Sequence, residues 1–173
     1  GEKLIRESLV LARESNWYSH GTLADLARLA YKRRNFEEAA SLAHEAFETA
    51  SKHADEFMKA TNLAILGRVK LGQGHLAEAE QLMVESLRLG WIAYIPLVLS
   101  NSLVFLADLS IAKGNIKQAV TWLSFLSHYK VIEKRDRDEA IKLLEEMKNQ
   151  LSARDLSQAQ EEGKSLTLEQ VVT

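Results

Sequence analysis

Leu63-Ala64-Ile65-Leu66-Gly67-Arg68-Val69, then Gly72-Gln73-Gly74-His75, then Leu76-Ala77-Glu78-Ala79 is the stretch on which the fold turns. An apolar segment with helical periodicity runs into a glycine-punctuated turn. A second segment follows, opening with an aliphatic residue and an alanine three places on. The same order stands earlier as Leu23-Ala24-Asp25-Leu26-Ala27-Arg28-Leu29-Ala30, a turn over Lys32–Asn35, and Phe36-Glu37-Glu38-Ala39. It stands again later as Leu103-Val104-Phe105-Leu106-Ala107-Asp108-Leu109, a turn over Lys113-Gly114-Asn115, and Ile116-Lys117-Gln118-Ala119. Ala39, Ala79 and Ala119 are 40 residues apart each time. A fixed period of this size marks stacked helical hairpins.

Each repeated position has a physical task. The leucine pairs Leu23/Leu26, Leu63/Leu66 and Leu103/Leu106 make the inward stripe of a first helix. Ala27, Gly67 and Ala107 let the paired helix come close. Gly74 and Gly114 suit a left-handed residue after a helix end, a place Arg34 takes in the first unit. Phe36, Leu76 and Ile116 plug the hairpin, and Ala39, Ala79 and Ala119 mark the helix crossing.

These residues resemble the tetratricopeptide repeat (TPR): a small residue late in the first helix, glycine near the turn, an apolar residue next, then alanine. The usual period is about 34, so 40 implies roughly one extra helical turn per hairpin. The resemblance implies an all-α fold, a right-handed superhelix of antiparallel helix hairpins (a TPR-like α-solenoid) with a C-terminal capping helix. Long-period repeats of this sort resemble the TPR sensor domains of large ATP-dependent bacterial transcription regulators of the LuxR and STAND type. The tail Ala159–Val172 is similar to a segment that often closes such arrays.

Glu2-Lys3-Leu4-Ile5-Arg6-Glu7-Ser8-Leu9-Val10-Leu11 lies nearly on top of Glu80-Gln81-Leu82-Met83-Val84-Glu85-Ser86-Leu87-Arg88-Leu89. Residues 1–15 therefore read as the second helix of a truncated repeat, and the sequence as a piece of a longer protein. Repeats follow over 17–50, 55–89 and 94–129, and residues 135–173 form the cap. Pro96 falls where a helix begins and a missing N–H costs nothing. In the cap Ala140, Leu143, Leu144, Met147 and Leu151 share one face. Leu156, Leu166, Leu168 and Val171 fold two short elements over it. Gly163 ends one of them, and Thr167 with Gln170 forms a capping box for the next. No Gly/Ser/Pro linker divides the chain, so one domain is expected.

Composition bounds the function. Twenty-two basic and 24 acidic residues give a net charge of −2, without the basic excess that direct nucleic-acid binding needs. The absence of cysteine removes disulfides and thiolate metal sites. The apolar run Trp91–Leu99 is too short to span a bilayer, and a cytoplasmic location is expected. Gly72-Gln73-Gly74-His75-Leu76-Ala77 has the letters of a dinucleotide-binding loop, but that loop needs a preceding strand. The five histidines show no metal-ligand spacing, no nucleophile has a base near it in sequence, and no cofactor or enzymatic activity is expected. Trp91, Tyr94 and Trp122 read first as packing residues. The apolar connection Gly90–Ile95 leaves an exposed partner patch open.

The functional expectation is positional. In a TPR-like array the first helices line a concave groove. Arg28, Arg68 and Asp108 occupy equivalent places there, with Tyr31, Thr61 and Asn101 nearby. A wall with two arginines can hold a carboxylate or phosphate by bidentate hydrogen bonds; solvated or inter-repeat ion pairs explain the same charges. The expectation is a protein-, peptide- or small-effector-binding module, the sensor or interaction domain of a multidomain bacterial signalling or transcription regulator, docking also on other domains of its parent chain. The alternatives are a scaffold that self-associates, as a homodimer, and a regulatory appendage of an enzyme such as a kinase or cyclase.

Overall fold

A computed structural model of the protein describes residues 2–14, 19–130 and 134–172. Trp17, with which the first repeat was expected to open, lies outside them. Every described element is helical: α1 (Glu2–Glu14), α2 (His20–Lys32), α3 (Phe36–Lys52), α4 (Glu56–Gly72), α5 (Leu76–Ile92), α6 (Pro96–Ala112), α7 (Ile116–His128), α8 (Lys134–Met147), a 3₁₀ turn at Lys148–Gln150, α9 (Ala153–Ser165) and α10 (Leu168–Val172). The chain is all-α among the described residues.

The 40-residue period comes from a simpler rule. Helices α3, α4, α5 and α6 are each 17 residues long, and three-residue turns join them. A helix plus its turn makes half of the period, so turns within and between hairpins are alike. Arg34, Ala54, Gly74, Tyr94 and Gly114 all have left-handed backbones, with φ from 52° to 82°, at intervals of 20 residues. In four of these turns the residue after the left-handed one donates its N–H back to the helix it leaves: Asn35 to Ala30 O (3.0 Å), Asp55 to Ala50 O (2.9 Å), His75 to Lys70 O (2.9 Å) and Asn115 to Ser110 O (2.8 Å). This is the Schellman closure, which satisfies carbonyls the helix end would leave bare. The same residue then starts the next helix. Asn35, Asp55 and Asn115 accept from the N–H of Glu38, Met58 and Gln118 respectively, as N-caps do. Pro96 takes the first turn of α6.

Only two of the five left-handed positions carry glycine, and a side chain there costs about 1–2 kcal/mol. A Cβ at Gly74 or Gly114 would meet nothing within 4 Å, so backbone strain alone sets the effect of substitution. Ala54→Gly is expected to stabilise the protein by about 1 kcal/mol and Gly114→Ala to destabilise it by a similar amount. Urea midpoints of both variants against the parent chain check the pair.

Two compact units form, residues 1–93 and 94–173. In the first, α1 packs on α2, and α2, α3, α4 and α5 pack in sequence, with α2 also touching α4. Leu23 and Leu26 cluster with Leu9 and Ala46, and Met58, Ile65 and Leu66 with Ala24, Ala27, Ala43 and Ala50. The buried side of α3 is alanine throughout, at 39, 43, 46 and 50, a small-residue face against which α2 and α4 approach closely. Gly67 does the same for α4: a Cβ there would come within 3.3 Å of the Ala79 carbonyl and of Met83 Cε on α5. All six leucines of the repeated stripe are buried. Phe36 is half-buried as a plug, its ring 6.0 Å from that of Tyr31 and lying against Gly72.

In the second unit α6 packs on α7, which is flanked by α8 and α9. Ala140, Leu144 and Met147 bury the inner side of α8, and Leu168 and Val171 that of α10. Thr167 N–H donates to Gln170 Oε1 (2.9 Å) and Gln170 N–H to Thr167 Oγ1 (3.3 Å), a reciprocal capping box. Gly163 was expected to end a helix. It instead sits inside α9, buried, where a Cβ would strike the Thr121 carbonyl oxygen, lie 2.7 Å from Ser124 Cβ and 3.0 Å from Phe125 N of α7. It is a contact glycine, not a terminator.

Candidate functional site

A first helix buries most of its circumference, which leaves one stripe for contact with anything else. On α4 that stripe is Phe57, Thr61, Ala64, Arg68 and Leu71, spaced by four, three, four and three residues as one face of a helix requires. Its neighbours Leu63, Ile65, Leu66, Gly67 and Val69 are buried. Phe57 is 39% exposed, and the other four are half-buried. On α2, Gly21, Arg28 and Tyr31 stand at the same register, Arg28 exposed and Tyr31 half-buried against Phe36. Helix α2 touches α4, so the two stripes stand on neighbouring helices of the first unit.

The second unit repeats the pattern on α6 with Leu97, Asn101, Val104, Asp108 and Ile111. Leu97 and Asn101 are exposed, and the rest half-buried. The six residues expected to line a groove thus divide between the units: Arg28, Tyr31, Thr61 and Arg68 in the first, Asn101 and Asp108 in the second. Phe57 and Leu97, each 39% exposed, were missed. Their signal was in the sequence, since they stand 40 residues apart and one helical turn before Thr61 and Asn101.

Charge on and around these helices is mixed. Arg28 Nη1 donates to Asp25 Oδ1 at 2.6 Å, and both side chains are about half exposed. Such a surface pair at i and i+3 is worth only a fraction of about 1 kcal/mol, so Arg28 can exchange Asp25 for another carboxylate at small cost. At the far end of α4, Lys70 Nζ lies 2.6 Å from Glu78 Oε2. The hydrogen bond from Lys70, joined by the charges of Lys70 and His75, holds the Glu78 carboxyl below the usual range. The α4 stripe thus carries Phe57, Thr61 and Arg68, and the α2 stripe carries Arg28.

A concavity of about 490 Å³ is lined by His20, His53, Ala54, Asp55 and Glu56. His20, buried at the start of α2, places Nε2 3.0 Å from Asp55 Oδ2, and its ring centroid is 6.2 Å from that of His53. Asp55 Oδ1 also accepts from Met58 N–H at 3.0 Å. One carboxylate thus ties the beginning of α2 to the beginning of α4, a structural joint. No group of three His, Cys, Asp or Glu side chains arranged for a metal ion occurs among the described residues. The Gly72–Ala77 letters of a dinucleotide loop fall on the end of α4, a turn and the start of α5, with no strand before them.

Trp91 and Trp122 are half-buried, whereas Tyr94 is 79% exposed on its left-handed turn. No helix of the described residues is long and apolar enough to cross a membrane.

Helical hairpins in register, joined by short turns and leaving one mixed apolar–polar stripe per first helix, define an all-α helical-repeat protein. Residues 21–54, which span α2, α3 and their turns, match the family model of the tetratricopeptide repeat, and the chain carries a TPR there. Neither the curated proteins nor the solved structures yield a match.

Proposed function

We propose that the protein binds a segment of a partner protein along the α2–α4 wall of the first unit. The partner's acidic side chain or chain end would be held by Arg28 and Arg68, and an apolar side chain would rest on Phe57. The observation that carries this reading is the stripe itself, which repeats in register and combines exposed apolar surface with arginine on helices otherwise committed to packing. A TPR is a protein-interaction module in general, which supports the class of partner. On this reading the protein serves as the sensor or interaction part of a multidomain bacterial signalling or transcription regulator in the cytoplasm, its occupancy altering how neighbouring domains dock.

A displayed peptide library panned on the 173-residue chain tests the proposal. Retained peptides are expected to combine carboxylates with one large apolar residue. Arg28→Ala with Arg68→Ala should weaken them by about ten-fold to a hundred-fold, the worth of one or two charge-assisted hydrogen bonds. Affinity unchanged in the double variant, or a library from which nothing is retained, ends the proposal.

A further inference from the structure

The second helices α3, α5 and α7 share one register, and on two of them the outer side is open to solvent. Ser41 and Gln81 are exposed, whereas their counterpart Thr121 is buried. His44 is exposed and Val84 is 46% exposed, whereas Ser124 is 1% exposed. Glu45 and Glu85, half-buried and exposed, give way to Phe125 at 3%. The cover on α7 is α9. A Cβ on Gly163 would strike the Thr121 carbonyl oxygen and lie 2.7 Å from Ser124 Cβ and 3.0 Å from Phe125 N. Helix α9 is therefore a strap laid along the side of α7 that α3 and α5 leave bare.

The strap fits closely and holds weakly. Only Ala159 and Gly163 of α9 are buried, and neither brings much apolar area. Lys117 Nζ lies 3.8 Å from Glu162 Oε1, with both side chains well exposed, and such a pair adds little. Beneath the strap the Ser124 hydroxyl is buried with no hydrogen-bond partner among the described residues. A hydroxyl left unmet opposes the contact that buries it. The face also states what a better occupant needs. Ala159 and Gly163 stand four apart, on one side of α9. The Thr121 carbonyl and Phe125 N are backbone atoms and cannot turn aside, so any helix seated here must be small at these places.

We infer that the outer face of α7 is a docking seat for a partner helix, and that α9 holds it closed until that helix displaces it. The partner helix carries small residues four positions apart, as α9 does, and beside them a hydroxyl or amide group that pairs with Ser124. The seat belongs to the second unit alone, and the inference does not depend on the binding proposed for the first.

The probe is a fluorescein-labelled peptide of residues 152–172, the strap itself supplied in trans. Gly163→Leu in the full chain lifts its own α9 off the seat, and the peptide should then give saturable anisotropy. The unmodified chain, with its seat occupied, should bind the peptide at least about ten-fold more weakly. Gly163→Leu in the peptide should abolish binding to the vacated chain. Should the chain with Gly163→Leu not fold, Gly163→Ala makes the same comparison with a smaller obstacle. In the otherwise unmodified chain, Ser124→Ala removes the unmet hydroxyl and should slow amide exchange in α9 by about five-fold. Failure of the peptide to bind the vacated chain, equal binding to both chains, or α9 exchange that Ser124→Ala leaves unchanged or faster overturns the inference. So does sedimentation showing a dimer of the unmodified chain that Gly163→Leu abolishes, which would assign the seat to the strap of a second copy.

Discussion

Gly163→Ala is expected to lower stability by about 2 kcal/mol, although alanine is the better helix former. In an exposed helix interior this change would gain about 1 kcal/mol. Here the added methyl would strike the Thr121 carbonyl oxygen and lie 2.7 Å from Ser124 Cβ and 3.0 Å from Phe125 N. Two of the three obstacles are backbone atoms of α7, so no rotamer change can relieve them and α9 must move off as a body. Overpacking of this kind costs about 3 kcal/mol at the upper end of its usual range, which exceeds the propensity gain. The movement would expose Ala159, which is fully buried in α9. Thermal melting should show a drop of about 10 °C for a unit of this size, and amide exchange should rise in α9 first. Gly67→Ala is the internal comparison. Its nearest obstacles stand at 3.3 Å, and one is the mobile end of Met83, so a smaller loss follows. A Gly163→Ala melt within about 2 °C of the parent would show that α9 does not pack on α7 in this way.

The repeat was legible because the leucine pairs, the small residue and the alanine each meet a steric demand that few other residues satisfy. Leu23, Leu63 and Leu103, and Ala39, Ala79 and Ala119, are buried where the register puts them. The turns were legible only where glycine marked them. Ala54 and Tyr94 adopt the same left-handed backbone as Gly74 and Gly114 without any local sequence sign of it. Arg34 could be placed only by alignment to Gly74. The geometry there is imposed by the lengths of the helices on either side, a tertiary demand that overrides local preference. For that reason the 40-residue period suggested one extra helical turn per hairpin, not a 17-residue helix used repeatedly. Gly163 was misread for a related reason. A glycine near a helix end signals termination in sequence, whereas close approach to another helix leaves no local trace. Of the candidate site, Arg28 and Arg68 were found from register, whereas Asp25, the ion-pair partner of Arg28 three residues before it, was not singled out, since the ion pairs considered were between repeats. Phe57 and Leu97 were passed over because an aromatic or aliphatic residue early in a helix reads as core.

Phe105→Ala is expected to cost about 4 kcal/mol, within the usual range for emptying a buried phenylalanine site. The sequence directs attention to Leu103 and Leu106, which keep the helical stripe, and not to Phe105 between them. Helix α6 explains the difference. From Val98 to Ser110 its buried residues include Leu99, Leu103, Phe105, Leu106 and Leu109, which spread around the helix and leave no single apolar side for periodicity to detect. Phe105 has no exposed surface at all, so its removal leaves a cavity bounded by packed side chains as well as losing the transfer free energy of the ring. The equivalent residue of α4, Ile65, is 5% exposed, and Ile65→Ala should cost about 3 kcal/mol by the same reasoning. In α2 the equivalent is Asp25, whose side chain is 57% exposed, and Asp25→Ala should cost less than about 1 kcal/mol. The three losses, read as urea midpoints at constant m, should therefore fall in the order Phe105, Ile65, Asp25. A Phe105→Ala loss below about 1 kcal/mol would mean that α6 is not buried as described, and with it would go the claim that α6 leaves only the stripe from Leu97 to Ile111 for contact.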